Sequence, residues 1–145
     1  MYITRHTDYS LRVLIYLAAQ GDSLTTIQQI SESYGISKNH LMKVVHELNK
    51  KGYVETIRGK NGGLRLGIAP ENVKIGVLVR EMESGLDLVE CFSKENGCVI
   101  NPVCGLKSIL NEGLNAFFEK LDEYTLSDVL PDKGKPQLLR ILNIS

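Results

Sequence analysis

Tryptophan is absent from this 145-residue chain, and there are only four prolines and three cysteines. With few helix breakers, long helices are unobstructed. No apolar run approaches the ~20 residues that a bilayer-spanning helix needs; the stretch 13–19 is far too short. No secretory signal is visible, so a cytoplasmic protein without a membrane partner is expected. There is no C-x-x-C pair, and neither a phosphate-loop nor a dinucleotide-binding glycine spacing. No Ser/His/Asp set or paired carboxylate stands out. These gaps argue against dithiol redox, nucleotide and hydrolytic chemistry, and the chain is not expected to be an enzyme. The cysteine shortage is of another kind. Cys91, Cys98 and Cys104 lie within fourteen residues, and no fourth exists anywhere. Thiolate-bound metals and clusters usually take four ligands, so the set is one short.

What is present is unevenly spread. The length suits one domain, and the net charge is zero. Yet residues 37–65 hold Lys38, Lys43, Lys50, Lys51, Arg58, Lys60 and Arg65 against only Glu47 and Glu55. A local cationic excess on a neutral chain fits either a solvated face or a polyanion docked at one place.

The first half reads as helices followed by a hairpin. Leu11, Val13, Leu14, Leu17 and Ala18 recur at helical spacing, with Thr7 or Asp8 as a cap. TTIQQISESYG gives a short helix with Thr25 or Thr26 as cap, Ile27 and Ile30 inward and Gly35 as its stop. ISKNHLMKVVHELNKKG gives another, capped by Ser37, with Leu41, Val44, Val45 and Leu48 as its buried stripe. Two short helices joined at a glycine match a helix-turn-helix. YVETI and GLRLG then read as strands around RGKNG, whose Asn61-Gly62 pair is a hairpin-turn signal. Asn61, Gly62 and Gly63 serve a steric role there. A helix-turn-helix followed by a basic-tipped hairpin is a winged helix. The expected partner is a double-stranded DNA operator. Ser37, Asn39, His40 and Lys43 are the candidate base-reading residues. Lys38, Arg58, Lys60 and Arg65 are the candidate phosphate or minor-groove contacts.

The second half reads as an arm carrying a site. A short amphipathic helix is expected over about 73–83, then the cysteine loop, then a long helix from Pro102. Leu106, Ile109, Leu110, Leu114, Phe117, Phe118, Leu121 and Tyr124 form its apolar stripe. Lys107, Asn111, Glu112, Asn115, Glu119 and Asp122 form the opposite face. A small winged helix cannot cover that whole stripe, so a homodimer is expected. The last segment reads as a capped turn, a break and a frayed tail. The expected fold is mainly α with a small β-hairpin wing. Residues 1–70 form the DNA-binding region and 71–145 the cluster loop and dimerisation helices, within one compact protein. The C-x6-C-x5-C spacing is looser than the pairs of structural zinc sites. An iron–sulfur cluster tolerates it, while a disulfide with a spare thiol and three inert cysteines stay open.

Four stretches in this order carry a resemblance over nearly the whole chain: RHTDYSLRVLIYLA, YGISKNHLMKVVHELNKKGYVETIRGKNGGLRLG, ECF with CVINPVCGLK, and LDEYTLSDVL. They resemble the bacterial winged-helix regulators that include the iron–sulfur regulator IscR, and among these the nitric-oxide-sensing repressors. The resemblance implies a homodimer with one iron–sulfur cluster per subunit on Cys91, Cys98 and Cys104, 4Fe-4S by preference and 2Fe-2S as the alternative. IscR-like members place a histidine three residues after the third cysteine, where this chain has Lys107, a poor ligand while protonated. The nitric-oxide-sensing pattern has an aspartate in the first helix, which falls on Asp8 and is expected to act as Asp8 of the partner subunit. His6 is the nearest rival. Loss or nitrosylation of the cluster is expected to lower operator affinity. The alternatives are a related regulator sensing cluster supply or redox state, and an electron carrier, which has no use for a basic wing.

Overall fold

The computed structural model describes residues 1–95 and 97–145. Helix α1 (Arg5–Gln20) runs through the centre, with Val13, Leu14 and Leu17 buried along one face. Periodicity places its cap at Thr7 or Asp8; the structure places it at Thr4, whose Oγ1 accepts from the Thr7 amide at 3.4 Å. Thr7 is buried instead and donates its hydroxyl to Glu83 Oε2 at 2.6 Å.

Helix α2 (Ile27–Tyr34) begins with a capping box between Thr26 and Gln29 and stops at Gly35, whose φ of 67° is left-handed. Helix α3 (Lys38–Lys50) follows at once, capped by Ser37, which accepts from the His40 amide at 3.4 Å. Leu41, Val44, Val45 and Leu48 are all buried against α1 and α2. This is the expected helix-turn-helix.

Strands β1 (Val54–Ile57) and β2 (Gly63–Leu66) pair antiparallel, with Glu55 opposite Arg65 and Thr56 opposite Leu64. Asn61 and Gly62 do not form a two-residue turn. The loop is residues 58–62, with positive φ at Gly59 and Asn61, and the Gly62 amide donates to the Gly59 carbonyl at 3.0 Å. Gly62 and Gly63 are steric necessities. A Cβ on Gly62 would run into the Ile57 carbonyl, and one on Gly63 would lie 2.6 Å from the Thr25 carbonyl. Thr25 and Leu64 exchange backbone hydrogen bonds of 3.1 and 2.7 Å, which fastens the wing to the segment before α2.

The second half folds back on the first. Helix α4 (Ile75–Met82) sends Leu78 and Met82 into the core of α1–α3, together with Val73, Leu126 and Leu142. Helix α5 (Leu106–Asp122) starts four residues later than Pro102 suggests, because residues 99–103 turn, with the Cys104 amide donating to the Ile100 carbonyl at 2.9 Å. Its seventeen residues span about 25 Å. Within this chain only Phe118 of the helix is buried, packed with Ile75 and Val79 of α4. Asp122 is not on a solvent face as expected. It accepts from both Arg80 terminal nitrogens at 2.8 and 3.0 Å, while that guanidinium lies 4.5 Å over the Phe118 ring.

Helix α6 (Leu126–Val129) is opened by a Thr125–Asp128 capping box. Helix α7 (Lys135–Ile141) replaces the expected frayed tail. Leu142 is buried, and its carbonyl accepts from the Ser33 hydroxyl at 2.6 Å, so the C-terminal segment docks on α2. Among the described residues no helix is long and apolar enough to cross a membrane.

Candidate DNA-reading head and cysteine pocket

At ~100° per residue, the buried stripe of α3 leaves one exposed arc. Lys38, Asn39, Met42, Lys43 and His46 lie on it, and Lys50 extends it. The structure thus brings together Lys38, Asn39 and Lys43 of the expected contacts. Ser37 stands at the head of the helix with its oxygen engaged as the cap. His40 is turned aside: it is half-buried, with its ring edge-on to Tyr9 of α1 at 4.7 Å. Met42 takes a place on the face that sequence reading gave only to polar residues, and His46 shares it. The spacing i, i+1, i+4, i+5, i+8 from Lys38 is the signal that finds them.

On the wing, Arg58 and Lys60 are exposed at the tip. Arg65 is different. It sits mid-strand and donates to its cross-strand partner Glu55 at 2.7 Å, which holds the guanidinium still more firmly protonated.

All three cysteines line one pocket of about 150 Å³, with Val89, Glu90, Ile100, Asn101, Leu106 and Lys107. Cys91 and Cys104 are half-buried and Cys98 is exposed. The Leu106 amide, at the start of α5, donates to Cys104 Sγ at 3.4 Å. Among the described residues, no group of three or more His, Cys, Asp or Glu side chains is arranged to hold a single metal ion. The three cysteines share the lining of one small volume. A polynuclear cluster accepts that, because each thiolate can take a different iron. Three thiols lining one pocket fit the ligand set of such a cluster. Lys107 also lines the pocket. Glu90 is a carboxylate at the pocket that spacing arguments passed over, although it adjoins Cys91 in the sequence.

Asp8 is not part of that lining. Its two oxygens accept from Arg12 Nε and Nη2 at 3.2 and 3.0 Å, one helical turn away. Arg12 in turn lies 5.6 Å from the Tyr9 ring centre, and Tyr9 meets His40. Tyr34 completes the cluster: its hydroxyl donates to the Arg12 carbonyl at 2.8 Å, and burial pushes its phenol up to about 12. Carboxylate, guanidinium and two rings thus connect the start of α1 to the start of α3.

Comparison with known proteins agrees with this architecture. Residues 3–132 match the Rrf2 family, described as iron-dependent transcriptional regulators. The HTH-type transcriptional regulator NsrR of Bacillus licheniformis is 56% identical over 132 residues, covering 90% of this chain and 92% of that protein. NsrR of Bacillus subtilis is 53% identical over 146 residues, covering 99% of each. Among solved structures, T. potens IscR superposes with a TM-score of 0.74 at 25% identity, covering 94% of this chain and 91% of that one. CymR, the global cysteine regulator of B. subtilis, gives 0.71 at 28% identity, covering 89% and 95%. The winged-helix head, the cysteine pocket and these relatives agree, and the chain belongs to the Rrf2 family of iron-dependent transcriptional regulators.

Proposed function

We propose that this protein is a homodimeric DNA-binding repressor that leaves its operator in response to nitric oxide, sensed at an iron–sulfur cluster on Cys91, Cys98 and Cys104. The observation that carries this reading is the single pocket lined by all three cysteines, in a chain whose other end is a winged-helix head. The preferred cluster is 4Fe-4S, with Asp8 of the partner subunit as fourth ligand. Lys107 at the place of the IscR-like histidine favours nitric oxide as the signal. The uncovered residues Leu106, Ile109 and Phe117 of α5 support a dimer. Lys38, Asn39, Lys43, Arg58 and Lys60 supply the DNA contacts.

When bound, the cluster supplies iron that nitric oxide attacks. The protein's own part is the coupling. An Asp8 carboxylate that grips Arg12 keeps that guanidinium over Tyr9, and Tyr9 supports His40 at the head of α3. As a cluster ligand Asp8 is drawn away from Arg12, and cluster loss lets it return to the guanidinium; that change is passed through Tyr9 and His40 to the head of α3. Two recognition helices must match two half-sites about one helical turn apart, so a small displacement of α3 suffices to lower affinity. The coupling is the difference in operator affinity between the two states.

The test is the visible spectrum of anaerobically purified protein during a nitric oxide titration, with operator affinity read at each step. A chromophore that bleaches as affinity falls supports the reading. A colourless protein, or an affinity indifferent to the bleaching, refutes it. Asp8→Ala should alter the chromophore or its lifetime; an unchanged spectrum and lifetime remove Asp8 from the ligand set.

A further inference from the structure

Methionine is the odd residue on the outer face of α3. Met42 is 50% exposed, while every other apolar residue of the helix is buried. It is central to the exposed arc, with Lys38 and Asn39 before it and Lys43 and His46 after it. Among the described residues no element covers it, and the apolar surface that asks for a second subunit lies on α5. An apolar side chain amid cations and amides on a helix that enters DNA has one natural counterpart. The major groove displays a single apolar group, the C5-methyl of thymine. The unbranched, polarisable thioether adapts to such a contact.

We propose that Met42 is a base-reading residue that packs against a thymine methyl in each operator half-site. The inference rests on the DNA-binding reading above and deepens it by naming a base. Asn39 lies one turn earlier on the same arc, where its amide can pair in bidentate fashion with adenine. The pair therefore favours a half-site in which an adenine and a thymine fall close together. Met42 also sits at the exposed surface and not in the core, so shortening it leaves the helix intact.

The experiment uses the anaerobically purified full-length protein. An operator is first selected from a random duplex pool. Each thymine is then replaced in turn by deoxyuridine, which lacks only the methyl, and affinities are measured for the native protein, Met42→Ala and Met42→Leu. In the native protein one replacement per half-site should weaken binding about fourfold, the worth of one buried methyl. Met42→Ala should bind thymine and deoxyuridine duplexes equally. Met42→Leu should keep most of the discrimination. The inference is overturned if no thymine methyl matters to the native protein, or if Met42→Ala loses as much on deoxyuridine as the native protein does. A pool that yields no enriched duplex refutes the DNA-binding reading itself.

Discussion

Glu83→Ala should be among the most damaging single changes outside the apolar core. Glu83 follows the last residue of α4, and its Oε2 reaches the start of α1, where it accepts from the Thr4 amide at 3.2 Å, the Thr4 hydroxyl at 3.1 Å and the Thr7 hydroxyl at 2.6 Å. Removing the carboxylate has two costs. The Thr7 hydroxyl is fully buried, and stranding such a donor costs ~1–3 kcal/mol. A negative charge at a helix N-terminus is worth a further ~0.3–1 kcal/mol. Thr4 is only half-buried, so water replaces its two bonds at little loss. The expected destabilisation is about 2–3 kcal/mol. It would be read by urea unfolding of the metal-free protein under reducing conditions. Thr7→Val removes the stranded donor while keeping its shape. The double variant should therefore fall short of the additive cost by ~1–2 kcal/mol. A Glu83→Ala protein within ~0.5 kcal/mol of the parent, the range of ordinary surface changes, would refute the reasoning. Strict additivity with Thr7→Val would do the same. Glu83→Gln keeps an acceptor oxygen and loses the charge, so it should fall between the two.

Three further outcomes follow from single contacts. Glu55→Gln releases Arg65 from its 2.7 Å partner; operator affinity should rise and the salt dependence steepen by ~0.9 in log–log slope, whereas an unchanged slope excludes Arg65 as a phosphate contact. The Tyr34 phenol stands at about 12 in the folded chain against an ordinary 10.0, so stability is unaffected below the ordinary value and declines as pH rises from there towards 12. Tyr34→Phe should remove its share of that decline, leaving the share of Tyr53, whose phenol is also raised by burial and by Glu81, and cost ~1 kcal/mol at neutral pH for the lost bond to the Arg12 carbonyl; an unaltered alkaline profile would show that Tyr34 contributes nothing to it. Ile109→Glu puts a charge in the uncovered stripe of α5, where Ile109 is 64% exposed. It should give monomers by sedimentation and a loss of operator affinity, and a persistent dimer would move the interface off this face.

The parts of the fold that sequence reading recovered are those decided within a turn or two of the chain. Ser37, Thr26 and Gly35 act on atoms a few residues away, so cap, box and stop are visible as letters. The hairpin strands likewise follow from short strand-like runs on either side of the Asn61-Gly62 signal, although the first alternates imperfectly and buries only Val54, and the glycines beside them from crowding. What sequence reading missed depends on distant partners. Thr7 looks like a cap until Glu83, 76 residues on, claims its hydroxyl and leaves Thr4 to close the helix. Asp122 looks solvent-facing until Arg80 meets it from α4. The tail looks frayed until Leu142 finds the core beside α1–α3. The candidate site divides in the same way. Three cysteines in one loop are legible as a candidate set, but the pocket walls, with Glu90 and Lys107, exist only once the loop has folded. His40 has the right residue type for base reading, yet Tyr9, from a helix thirty-one positions earlier, turns it towards the interior link with Arg12. That exchange has a consequence for the proposed switch. The position that sequence reading assigns to DNA is occupied by a residue facing Tyr9 of α1. The outward places fall to Asn39, Met42, Lys43 and His46, so the two faces of α3 can be perturbed separately. Substitutions at His40 should alter the difference between the two states, while substitutions on the outward arc should alter affinity in both.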